Sequence, residues 1–165
     1  MKAITKKELL ALVQSVRGAT FATIVTRTDA RLKKTGNPFG PVSKVARVNV
    51  TLGFQYEAAV NRQRDREGSV SDFEAAPRQW GERIGPMLIE HKGKIYLETK
   101  VERSLGHEYR DSQDRILPDA DVAPFLPARK PSARQETEKE ILVRDYALDS
   151  IAGITFRGED YVVLK

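Results

Sequence analysis

The stretch VSKVARVNVTLGF, residues 42 to 54, constrains the fold most. Val42, Ala46, Val48, Val50, Leu52 and Phe54 fall on one parity, and Ser43, Arg47, Asn49, Thr51 and Gln55 on the other, with Val45 the one apolar exception. Successive side chains of a strand point to opposite faces, so this period of two predicts a strand with a buried face and a polar, cationic one. Such a strand requires partners on both sides and a cover for its apolar face.

The chain supplies both. Thr5 followed by Glu8 reads as a capping box, and Leu9, Leu10, Val13 and Val16 recur at helical spacing before Gly18, which predicts a short amphipathic helix over 5–17. ATFATIVTRT, from Ala19 to Thr28, is rich in the β-branched side chains that suit a pleated surface. MLIEHKGKIYLETKVE predicts a hairpin, and its second strand divides Ile95, Leu97, Thr99 and Val101 from Tyr96, Glu98, Lys100 and Glu102. HEYRDSQDRILP reads as a looser second hairpin. A strand is expected near 140–146 and a closing hairpin where ITF and YVVL flank Arg157 to Asp160. The ambiguous run FQYEAAVNRQR is taken as a continuing strand, since no cap precedes it. DFEAAPRQWGERI is expected to hold no more than a short helical turn, and the proline-bearing segment 119–140 to be a surface excursion.

No strand–helix–strand alternation is present, so a doubly wound sheet is not expected. The predicted fold is mainly β (α+β): one domain over 1–165, an antiparallel sheet or small partly open barrel with a short N-terminal helix. No apolar run approaches the roughly 20 residues that a membrane helix needs, and the first residues do not read as a signal peptide, so a cytoplasmic protein is expected. With no Cys, thiolate metal sites and thiol nucleophiles are excluded, and His91 and His107 are too few for an imidazole-rich site. No cofactor is expected, because phosphate loops, nucleophile elbows and zinc-protease signatures are all missing from the sequence. Asp111, Asp114, Asp119 and Asp121 do not have the spacing of a calcium loop.

Charge is unevenly spread. Residues 27 to 66 hold nine Lys or Arg against Asp29, Glu57 and Asp65, a net +6; the remainder, with 19 basic and 20 acidic side chains, is −1. The whole excess of the chain's +5 thus lies in one stretch, and a localised positive field attracts polyanions. This stretch includes the polar parity of the 42–54 strand, where Arg47 and Asn49 sit, with Lys44 at its entrance. It also includes the turn-rich loop with Lys33, Lys34 and Phe39, then Tyr56, and the comb Arg62, Arg64 and Arg66, whose spacing of two points one way in an extended segment. Arg78 and Trp80 add a second aromatic and cationic pair. Cations neutralise phosphates and aromatic rings stack on bases, so these residues point to non-enzymatic nucleic-acid binding. Strand-borne aromatics and the lack of a recognition helix favour single strands over duplex.

Two other readings follow from different residues. Glu90, Glu98 and Lys100 resemble, in residue type, the carboxylate and lysine set of a metal-dependent nuclease. A structural or adaptor role, with homo-oligomers formed through a sheet edge or the apolar side of the helix, is the other.

Overall fold

A computed structural model describes residues 1–33, 36–54, 81–127 and 143–165. Among the described residues, ten strands make one sheet: β1 (Lys2–Ile4), β2 (Thr20–Asp29), β3 (Ser43–Leu52), β4 (Glu82–Arg83), β5 (Leu88–His91), β6 (Lys94–Arg110), β7 (Ile116–Leu117), β8 (Val143–Ala147), β9 (Ile151–Phe156) and β10 (Glu159–Val163). Their order is β1-β10-β9-β2-β3-β6-β5-β4, with β7 and β8 also on β6. The fold is mainly β, as the sequence predicts. The sheet is open and antiparallel except where β1 runs parallel to β10. Among the described residues, no helix is long and apolar enough to cross a membrane.

The long strand β6 organises this order. Lys100 is paired with both Thr51 of β3 and Val143 of β8, and Tyr96 with both Ile89 of β5 and Ala147 of β8. A residue's two ladder partners lie on opposite sides of it, so β5 and β3 share one edge of β6 in succession. β8 and β7 occupy the other edge. The sequence predicts two hairpins here, with a break between Glu102 and His107; the chain instead runs straight through as a single strand of 17 residues.

Helix α1 (Lys6–Gln14) begins where predicted and stops earlier, at Ser15. The Thr5 hydroxyl oxygen accepts from the Glu8 amide at 3.1 Å, and the hydroxyl donates to the Glu8 carboxylate at 3.2 Å, so the carboxylate meets the capping side chain in place of its backbone amide. Leu9, Val13 and Val16 are fully buried against Ala22 and Ile24 of β2, Val48, Val50 and Leu52 of β3, and Ile154 and Phe156 of β9. The inner face of the sheet is thus the parity predicted for β3. A second cluster lies towards the other end of that face: Val42, Tyr109 and Val122, with Phe39, Leu117 and Leu126 packed on it. It is closed by α2 (Asp119–Val122) and the turn Ala123–Phe125. Val45, the exception on the polar parity, is buried on the outer face.

Two β-bulges make β6 longer than the strand it pairs with. Val50 and Asn49 oppose Val101 and Arg103, so Glu102 is extra; Val48 and Ala46 oppose Ser104 and His107, so β6 gains one more residue there. Each bulge shifts the parity of the residues beyond it by one. The outer face of the β2–β3–β6 ladder is left uncovered along much of its length, with Phe21, Arg47 and Arg103 all exposed.

At the end of β3, Gly53 has φ +69°, and a Cβ there would run into the Gly18 carbonyl oxygen. Gly18 has the same hand of backbone, φ +85°, with open space around it. A left-handed backbone alone costs an L-residue about 1–2 kcal/mol. Gly18→Ala is therefore expected to lose about that much in urea unfolding, and Gly53→Ala clearly more, the difference reporting the close approach of the two chain segments.

Candidate functional site

The outer face divides into two halves. At the end of β2 and β3 near the second cluster, three arginines surround two carboxylates. Arg27 contacts Asp114 at 3.0 Å, Arg110 contacts Asp114 at 3.4 Å and Glu108 at 2.9 Å, and Arg47 reaches Glu108 at 3.6 Å. The register sets Val45 between Arg27 and Glu108, beneath this network. Exposed pairs of this kind contribute little stability, but they hold Arg47 in place, still half exposed.

The turn that brings Asp114 there depends on Asp111. Its Oδ1 accepts from the amides of Gln113 and Arg115, both at 2.9 Å, and its Oδ2 from the Arg115 Nε at 2.9 Å. The Arg115 backbone amide is the largest influence on this carboxyl. Against the opposing effect of burial, it acts with the Arg115 guanidinium and the Gln113 amide to hold Asp111 below the usual aspartate range.

The other half is built around Phe21. In β2 this ring is 77% exposed, although it is flanked in sequence by Thr20 and the buried Ala22. Its parity is that of Thr23, Val25 and Arg27, the outer one. The register aligns Thr155, Thr23, Asn49 and Arg103 in one row across β9, β2, β3 and β6, and Phe21, Thr51 and Lys100 in the next. The Thr23 hydroxyl donates to Asn49 Oδ1 at 2.7 Å, and the Thr51 hydroxyl to Glu102 Oε1 at 2.7 Å. At the β9–β10 turn the Arg157 guanidinium lies 4.7 Å from the centre of the Phe156 ring, a cation–π contact that fixes its position. Phe21, Thr23, Asn49, Glu102, Arg103 and Arg157 line an open cavity of about 380 Å³. Among the described residues, Arg103 and Arg157 have no carboxylate partner.

The residues predicted from the sequence are dispersed. Arg47 and Asn49 share the outer face as expected, but Lys44 has the parity of Val42 and Ala46 and belongs to the inner one. Lys33 is exposed in the loop, its amide bonded to the Phe125 carbonyl at 2.8 Å. Phe39 is half-buried in the second cluster, edge-on to Phe125 with ring centres 6.0 Å apart, and so serves as a lid on that cluster. Lys34, Tyr56, Arg62, Arg64, Arg66, Arg78 and Trp80 lie outside the described residues, as do the predicted continuing strand after Phe54 and most of the excursion.

The carboxylate set does not converge. Glu98 is buried on the outer face, where Arg83 contacts it at 3.1 Å. Glu90 opposes Ile95, which has the parity of the core residue Leu97, so Glu90 stands on the inner side. Lys100 is occupied with Glu102 at 3.6 Å. Among the described residues no group of three or more His, Asp or Glu could hold a metal ion.

Phe21, Glu102, Arg103 and Arg157 were not indicated by the sequence. Period-two reading of TFATIVTRT does place Phe21 with Thr23 and Arg27, a signal that the density of apolar residues on both parities obscures. Arg103 reaches its face through a bulge, and a bulge leaves no mark in the pattern. Comparison with protein-family models, curated proteins and solved structures finds no match to this chain.

Two outcomes test this geometry. Asp111 is easier to ionise in the folded chain than unfolded, so its stabilisation is complete above the unfolded aspartate pKa, about 3.9, and is lost as pH falls towards the lower folded value. In thermal melts from neutral to acidic pH, the gap between wild type and Asp111→Asn should narrow as the pH drops; a constant gap would contradict this. Phe39→Ala should cost about 1–2 kcal/mol through lost burial and the aromatic pair, read as a lower melting temperature.

Proposed function

We propose that the outer face of the β2–β3–β6 ladder binds single-stranded nucleic acid. The observation that carries this reading is Phe21: an aromatic ring largely in water, near the start of β2, beside Arg103 and Arg157, two cations without a carboxylate partner among the described residues. An exposed Phe on a sheet face loses the benefit of burial, which a flat partner would restore. A nucleobase meets that need, since its π-face stacks on an aromatic side chain whatever its sequence.

The cations suit the phosphates that accompany such bases. Arg103 is strand-borne and Arg157 is held by its own ring contact, so each loses less freedom on meeting a phosphate than a side chain on a loose tail. Arg47 extends the same face towards the arginine network. A duplex presents its bases edge-on within grooves and offers no free ring face to Phe21, so an unstacked strand fits better. Arg62, Arg64 and Arg66 stay in the proposal on their sequence spacing alone.

Fluorescence anisotropy with labelled single-stranded and duplex oligonucleotides of equal length, over a series of salt concentrations, tests the reading. Binding to the single strand should be tighter and should fall steeply with salt. Phe21→Ala should weaken it by about 1–3 kcal/mol, the worth of one stacked base. Arg103→Ala should also reduce the salt slope, by roughly 0.7 if one single-strand phosphate contact is lost. Phe39→Ala should leave affinity unchanged. Absence of binding at low salt, or full affinity in Phe21→Ala, would overturn the proposal.

A further inference from the structure

A carboxylate is out of place in a surface that contacts only phosphates, yet Glu102 lines the cavity between Lys100 and Arg103. The bulge puts it there: Arg103 is the partner of Asn49, Val101 that of Val50, and Glu102 is the added residue beside them. Its Oε1 is engaged by the Thr51 hydroxyl at 2.7 Å and by Lys100 at 3.6 Å. Its Oε2 has no partner among the described residues. An ionised carboxylate only accepts hydrogen bonds, so Oε2 seeks a ligand N–H.

Asn49 supplies the complementary group. Because Thr23 donates to its Oδ1 at 2.7 Å, its Nδ2 is the end left over, and this donor has no partner among the described residues. The cavity therefore offers a ring to stack on, a fixed amide donor and a free carboxylate oxygen, with arginines at its rim. At about 380 Å³ it falls in the range of small-ligand sites, roughly 300–1,000 Å³.

Resting on the single-strand reading, we infer that this cavity is a subsite selective for guanine. Among the bases, guanine sets two N–H donors side by side, at N1 and N2, next to the O6 acceptor. Glu102 would take the donors, one on Oε2 and one on the lone pair of Oε1 that the Thr51 hydroxyl leaves, and Asn49 would donate to O6, while the ring stacks on Phe21. Adenine and cytosine offer an amino group beside a bare ring nitrogen, whose lone pair faces a carboxylate unfavourably. Thymine and uracil offer one N–H only. The shared chemistry, a guanine with an attached phosphate, is available from a strand or from a free nucleotide.

Anisotropy with oligothymidines carrying one central dG, dA, dC or deoxyinosine separates the possibilities, and needs no variant of the protein. The dG strand should bind about tenfold tighter than the dA strand, the scale of one good bidentate base contact. Deoxyinosine, which lacks the N2 amine, should lose most of that gain. Glu102→Gln can keep the Thr51 hydrogen bond, and should level dG with deoxyinosine. Equal binding of dG and dA by the wild type would overturn the guanine subsite and leave the single-strand reading standing. If no oligonucleotide binds, the single-strand reading fails; titration with GMP and AMP then decides, a tenfold preference for GMP supporting a free-nucleotide site and no binding of either overturning the guanine inference as well.

Discussion

The one-sided burial of the β2–β3–β6 ladder is the constraint on which the rest of the structure depends. α1 and the residues just after it cover the inner face with Leu9, Val13 and Val16, and the second cluster covers the same face further along β3. With that face fixed, the alternation of β3 leaves no freedom in where its polar side chains go, since a slip of one residue would send Val48 and Val50 into water. Arg47 and Asn49 are presented outward because their neighbours must be inside. The polar face is in this sense a product of the core, and its geometry is as rigid as the packing behind it.

The bulges of β6 then decide which residues complete that face. Without them, strict alternation would carry a single parity from Lys100 to Arg110 and place Glu102 and Ser104 together, with Arg103 on the core side. One added residue at Glu102 reverses this beyond the bulge, so Arg103 meets Asn49 in the outer row and a carboxylate and a guanidinium stand next to one another on one face. The second added residue, near Leu105 and Gly106, restores the original parity in time for Tyr109 to reach the second cluster. A single strand thus serves two cores and an open face between them.

Much of the architecture was legible in the sequence because it follows from local pattern: the capped helix, the two faces of β3, the hairpin at Lys92 and Gly93, and the closing hairpin at Arg157 and Gly158. The candidate site was legible only in part. Arg47 and Asn49 follow from alternation, whereas Lys44, next to them in sequence and alike in charge to Arg47, has the opposite parity. Charge density along the chain also differs from charge density in space: Arg27 and Arg47 come from the basic stretch and are paired with Asp114 and Glu108, while Arg103 and Arg157 come from outside it. Phe39 stood out by its setting between Pro38 and Gly40, yet the nearby Phe125 gives its ring an apolar place. Phe21 had no such setting and remained in water.

The parallel pairing of β1 with β10 joins Lys2 to Tyr161 and Ile4 to Val163, residues far apart along the chain. Contacts of this separation pay nearly the full entropy of loop closure before they return any stabilisation, although that cost grows only slowly with length. The pair is also short, three residues on a sheet edge, so it cannot nucleate anything. α1 follows β1 directly and is the cover of the main core, which means that these residues wait for β9 and β10 before their places exist. The decisive step of folding therefore requires residues up to 163, and the apolar side of α1 has to be tolerated or shielded until they are present.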